Sequence, residues 1–162
     1  MTLILDAYNI VGALDRYRNA GSFDEARERL VRDTLKAAGW TGREILVIFD
    51  AQRSPEPRRE TLLAGGAVRT VYSAPNESAD DIIERLLHTL SGPVTVYSAD
   101  FALQRAALAN GATRATPREF ADLLDELPAV THAPSRPKKM RVADHLTPEA
   151  LRQLEHLRRE LE

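Results

Sequence analysis

Three aspartates in this chain each close an apolar run: Asp6 after "TLIL", Asp50 after "EILVIF" and Asp100 after "PVTVYSA". One such acid is explained by a turn or by the N-cap of a following helix. Three of them are harder to explain that way. A further set lies in "ESADDIIERLL", where Glu77, Asp80 or Asp81, and Glu84 recur at helical spacing and form an acidic face. The helix dipole favours Asp80 and Asp81 near the helix start by roughly 0.3–1 kcal/mol each. Glu84 lies beyond the first turn and gains less, and like charges at i, i+4 repel. Arg85 and Arg53 offset part of that repulsion. Carboxylates gathered at one place raise each other's pKa unless a cation neutralises them. Oxygen-only ligands suit Mg²⁺ or Mn²⁺ rather than zinc. The chemistry such an ion supports is phosphate-ester hydrolysis by an activated water.

The elements that must position these acids are legible in outline. "LILD", "EILVIFD", "AVRTVYS", "PVTVYSAD" and "ATRA" read as strands. "DEARERLVRDTLKAAG", with Gly39 as its stop, "ESADDIIERLLHTLSG", "FALQRAALANG" and "TPREFADLLDEL" read as helices. Ser78 with Asp81, and Thr116 with Glu119, fit capping boxes, and Pro117 fits the first helical position. "AQRSPEPRRE" reads as loop. Strands alternating with helices predict an α/β fold with a mainly parallel central sheet and helices on both faces. In such a sheet the carboxyl ends of the strands share one edge, so Asp6, Asp50 and Asp100 should gather there.

The expected organisation is a domain over residues 1–127, a Pro-rich basic arm over 128–146 and an amphipathic helix over 147–162. Leu151, Leu154, Leu157 and Leu161 form that helix's stripe, which fits docking on the domain itself or on a partner. The arm, with Lys138 and Lys139, reads as a phosphate contact or as a solvated linker.

Composition narrows the chemistry. The chain has 162 residues, no cysteine and a net charge of −2. Zinc–thiolate sites and Cys nucleophiles are excluded, and no global positive field marks a nucleic-acid binder. No run of 18 apolar residues and no leader-like start occurs, so a cytoplasmic protein with no membrane partner is expected. No Ser or Cys nucleophile elbow and no Gly-rich phosphate loop appears. His88, His132, His145 and His156 offer no convincing base, which favours hydrolysis by metal-activated water. A receiver domain needs a Lys after a late strand, and no Lys lies between Lys36 and Lys138. An Asp-nucleophile phosphatase needs Asp-x-Asp at the first strand end, where Tyr8 stands instead. A metal-dependent nuclease fits better, and a binding module with a structural acid network is the alternative.

"LILDAYNI", "LVIFDAQR", "ESADDIIERL" and "VTVYSAD" resemble, in order and spacing, the motifs of YacP-like NYN-domain proteins of the PIN-like nuclease superfamily. The resemblance runs from about Thr2 to Leu127, and the basic arm and terminal helix resemble the usual tail. It implies a PIN-like three-layer sandwich and Mg²⁺- or Mn²⁺-dependent endoribonuclease activity. For the bacterial branch it also implies mRNA cleavage in the ribosomal A site. Carried over, Asp6 is the first-strand acid, and Asn9 is the asparagine that orients Asp6 or a substrate phosphate. Asp50 and Arg53 match the "FDA-x-R" segment. Asp80 and Glu77 match the helix acids, and Asp100 matches the last strand-end acid. The expected ligands are Asp6, Asp80 and Asp100, completed through water by Asp50 or Glu77, with Asp81 and Glu84 in a secondary role. Arg53, Arg58 and Arg59 are expected to contact RNA backbone, or to line a solvated loop. One departure is plain: the family's Gly is Ala7 here. If that position needs φ > 0, a Cβ costs roughly 1 kcal/mol or more.

Overall fold

The computed structural model describes residues 1–51 and 57–128. Apolar residues in β1 (Thr2–Asp6) alternate between two faces, as an extended strand buried on both sides requires. Leu3 and Leu5 point to one core, and Ile4 points to the other. The same alternation runs through β2 (Glu44–Phe49): Ile45, Val47 and Phe49 share a face with Leu3, while Leu46 and Ile48 share one with Ile4.

The first face is covered by α1 (Ala7–Ala13), α2 (Asp15–Arg18), α3 (Phe23–Thr41) and α6 (Pro117–Asp125), through Ile10, Tyr17, Leu30 and Phe120. The second is covered by α4 (Ala79–Thr89) and α5 (Phe101–Ala109), through Ile82, Ile83, Leu103 and Ala107. Between them lies a six-stranded sheet, completed by β3 (Arg59–Leu63), β4 (Val68–Tyr72), β5 (Val94–Tyr97) and β6 (Thr113–Ala115). Its order is β3-β4-β2-β1-β5-β6. β3 is antiparallel to β4, and the other pairings are parallel. The chain leaves β1 towards β2 on one side, while β5 joins β1 from the other. The switch point therefore lies at the carboxyl end of β1, where Asp6 stands.

The fold class agrees with the sequence expectation, and both capping boxes form as read. Several local readings are corrected. The loop expected through "PRRE" gives way to an antiparallel edge strand from Arg59. Its apolar content is low because the strand is largely exposed, so periodicity had little to report. α1 and α2 were not read at all: they are short and follow β1 without a linker. Gly39 lies inside α3, and the helix stops instead at Gly42, whose φ of 65° is the left-handed cap that a glycine takes cheaply.

Ala7 is the first residue of α1, and the non-glycine residues with positive φ among those described are Ala64 and Asn76. The backbone at Ala7 therefore carries its Cβ without strain, and the residue is fully buried. Ala7→Gly is expected to lower stability by about 1 kcal/mol, through lost backbone restriction and a lost buried methyl. Urea unfolding measures it, and a stabilised glycine variant would contradict the helical assignment of Ala7.

Candidate active site at the carboxyl edge of the sheet

Parity along β1 puts Asp6 on the side of Ile4, facing the layer of α4 and α5. The carboxylate is only 2% exposed, so its charge must be met by hydrogen bonds. It is the N-cap of α1 and accepts from the Asn9 amide at 3.3 Å. The Asn9 side-chain amide donates to Oδ2, and the Ser98 hydroxyl donates to the same oxygen at 2.9 Å. Ser98, fully buried just past β5, also accepts from the Asp100 amide at 3.0 Å. Asp100 in turn caps α5, accepting from the Leu103 amide at 2.9 Å. Gln104 donates to the Ser98 carbonyl at 2.7 Å, and Arg114 donates to Gln104 at 3.1 Å. One serine thus ties the end of β1 to the turn that carries Asp100. The sequence reading missed Ser98, and its position two residues before a strand-end acid in "YSAD" was the available signal.

Asp80 enters from the first turn of α4. Its pKa is pushed up to about 6, first by burial and then by the charges of Asp6, Asp100, Glu84 and Asp81. Burial likewise raises Asp6, the hydrogen bonds from Asn9 and Ser98 pull it back, and the Asp100 charge adds to the rise. Asp6, Asp80 and Asp100 therefore lie close enough to repel one another. Among the described residues, no Arg or Lys forms an ion pair with any of the three. The donor set is all oxygen and anionic, with no counter-cation among the described residues, which fits a hard divalent cation. As the side chains stand, no three described acids converge on a common point that would hold an ion.

The remaining sequence-derived residues divide clearly. Asp50 is exposed and lines the same cleft as Asp6 and Asp80. Glu77 is drawn away from the acids. It pairs with Arg85, lies 3.7 Å from Arg58 and accepts from the Ala74 amide. Burial would raise its pKa, but the hydrogen bonds from Arg85 and Ala74 and the charges of Arg85 and Arg58 hold it low. Asp81 serves the capping box, where hydrogen bonds from Ser78 lower its pKa. The charge of Glu84 adds to the rise of the Asp80 pKa. Arg59 lines the cleft, while Arg58 is engaged with Glu77. Arg53, Lys138 and Lys139, with the arm and terminal helix, lie outside the described residues. No helix among the described residues is long and apolar enough to cross a membrane.

A mainly parallel three-layer α/β sandwich is the PIN-like NYN fold, whose family is nuclease-like and RNA-related. The chain belongs to the YacP-like NYN domain family, whose model matches residues 3–159. It is 31% identical over 123 residues to the "Uncharacterized protein YacP" of Bacillus subtilis (strain 168), across 73% of this chain and 71% of that protein. It is also similar to a crystal structure of a mutant of Rae1 (YacP) from Bacillus subtilis. That match has a TM-score of 0.66 at 28% identity and covers 78% of this chain and 76% of the other. A second crystal structure of Rae1 (YacP) from the same organism shares the fold. Its TM-score is 0.62 at 23% identity, over 99% of this chain and 81% of that one.

The raised pKa of Asp80 has a consequence for stability. The folded chain holds that proton more tightly than the unfolded chain does, so folding is weakened as pH rises from about 4 through about 6. At neutral pH without divalent ions, Asp80→Asn should therefore stabilise the fold. The gain is about 1 kcal/mol after discounting for solvent screening, and it vanishes near pH 4. Urea unfolding in EDTA at the two pH values reads this directly. A gain of equal size at both would mean that charge is not its source.

Proposed function

We propose that this chain is a Mg²⁺- or Mn²⁺-dependent endoribonuclease. The observation that carries the reading is the mutual repulsion of Asp6, Asp80 and Asp100 at the carboxyl edge of the sheet. They come from three separate elements and lack a counter-cation among the described residues. The residues that would hold the ion are these three, with Asp50 at the rim. When bound, the ion supplies positive charge against a phosphoryl oxygen and makes a water more acidic. The protein's own part is positional. Asn9 and Ser98 fix the Asp6 carboxylate, the Asp100 amide is anchored on Ser98, and α4 delivers Asp80 from its first turn. Asn9 also lines the cleft, within reach of a substrate as well as of Asp6.

The substrate class is RNA, and the family resemblance favours mRNA met on the ribosome in the cytoplasm. The arm over 128–146, with Lys138 and Lys139, and the helix over 147–162 belong to this proposal as accessory contacts with RNA backbone or a partner. A second reading keeps the binding and drops the catalysis. It is favoured by the capping roles of Asp6 and Asp100 and by the lack of three convergent acids among the described residues.

Cleavage of a labelled RNA in Mn²⁺ separates the two. Asp6→Asn and Asp80→Asn are each expected to lower the rate by at least about 100-fold, and EDTA should abolish it until metal is restored. Wild-type cleavage by the double variant would remove the catalytic assignment. Retained RNA binding with no cleavage in either metal would establish the non-catalytic module.

A further inference from the structure

Asp6, Asp50 and Asp80 line a cleft of about 740 Å³. Its lining also carries aromatic and cationic side chains, Tyr8, Phe23, Arg27, Phe49, Arg59 and Tyr72, among small and polar residues. Three of these form a lateral row across neighbouring strands. Phe49 of β2 is in register with Tyr72 of β4, and Tyr72 is in register with Arg59 of β3. The Phe49 and Tyr72 rings stack at 4.8 Å with an interplanar angle of 11°. The Arg59 guanidinium lies 4.7 Å from the Tyr72 ring centre, and that of Arg27, from α3, lies 5.6 Å from it. Arg27 also pairs with Asp24 at 3.1 Å, whereas Arg59 makes no salt bridge among the described residues.

Tyr8 and Phe23 line the same cleft, and their packing is incomplete. Tyr8 is 67% exposed and Phe23 49% exposed, unusual for large rings on the wall of a cleft. The two rings are 6.3 Å apart and tilted by 43°, so neither covers the face of the other. Tyr8 lies two residues beyond Asp6, on the helix that Asp6 caps.

We propose that this aromatic–arginine lining is a base-stacking subsite for single-stranded RNA, with Tyr8 as the platform and Arg59, in the same cleft, as a phosphate contact. An open ring face accepts any base, and an arginine held in the same cleft meets the backbone that carries that base. In a duplex the base faces are already covered by their neighbours, so the subsite selects unpaired RNA. Tyr8 and Asp6 line the same cleft, so a base stacked on Tyr8 belongs to a strand whose phosphate can lie at the acids. This rests on the reading of the acids as an RNA-cleaving site, and it names how that site holds its substrate.

The test is fluorescence anisotropy of a short fluorescein-labelled single-stranded RNA in EDTA and low salt, where no cleavage occurs. The wild-type full chain, Tyr8→Ala, Tyr8→Phe and Arg59→Gln are compared, with a blunt duplex of the same sequence as a second probe. Tyr8→Ala should weaken single-strand binding by about 5- to 150-fold, the range of one lost base–aromatic stack. Tyr8→Phe, which keeps the ring, should bind within about twofold of wild type. Arg59→Gln should lower the slope of log affinity against log salt by about one. Wild-type affinity in Tyr8→Ala, equal affinity for duplex and single strand, or no wild-type binding would overturn the subsite. None of these outcomes bears on cleavage, which the Asp6 and Asp80 variants judge separately.

Discussion

A carboxylate buried at the end of the central strand is the constraint around which this edge of the molecule is arranged. Asp6 is 2% exposed, and removing an ionised carboxylate from water is tolerable only where donors replace the water. Three donors do so. The Asn9 backbone and side chain come from the helix that Asp6 itself starts, and the Ser98 hydroxyl comes from the neighbouring strand's end. The third is the costly one to arrange, because Ser98 is 92 residues away in sequence. It depends on the β1–β5 register, which pairs Leu5 with Tyr97 and leaves the next residues of both strands side by side. The register follows from the apolar alternation that fills both cores, since a slip by one residue would turn Leu3, Leu5 and Ile4 to the wrong faces.

The same carboxylates do two jobs, and the jobs are compatible. Asp6 and Asp100 each cap a helix, as the plainest reading of a strand-end aspartate holds. Capping engages Oδ1 of each and fixes its rotamer, and a fixed rotamer is what a ligand or catalytic carboxylate needs. Asp80 is the contrasting case. It sits one position before the capping-box acid Asp81, makes no cap of its own, and carries the largest electrostatic burden of the group. Adjacent residues of one helical turn thus divide the roles: Asp81 satisfies the helix, and Asp80 faces the acids.

What the sequence made legible follows from the range over which each signal acts. The two capping boxes, the parallel strands and the sheet edge that carries Asp6 and Asp100 depend on local chemistry or on the general direction of a parallel sheet. Ser98 was invisible because its partner lies across the sheet, and nothing local distinguishes a serine that bonds a distant carboxylate from one that bonds water. Glu77 failed differently. Its helical spacing from Asp80 is right, but it precedes the N-cap, so it turns back towards Arg58 and Arg85 instead of following the helical face. β3 was missed because an exposed edge strand carries too few apolar residues to show a period.

That missed strand has the widest consequence for how a chain of net charge −2 could hold a polyanion. Attraction by the whole molecule is ruled out, so the cations must be placed locally. β3 does this through register: antiparallel pairing sets Arg59 opposite Tyr72, and parallel pairing sets Tyr72 opposite Phe49. The guanidinium is held over a ring face, where it keeps its charge and its donors without a carboxylate partner among the described residues. A one-residue slip of β3 would carry Arg59 to the other side of the sheet and away from the Tyr72 ring. Turn and pairing geometry at an unremarkable edge therefore decide whether Arg59 meets the Tyr72 ring in the cleft that Asp6 and Asp80 line.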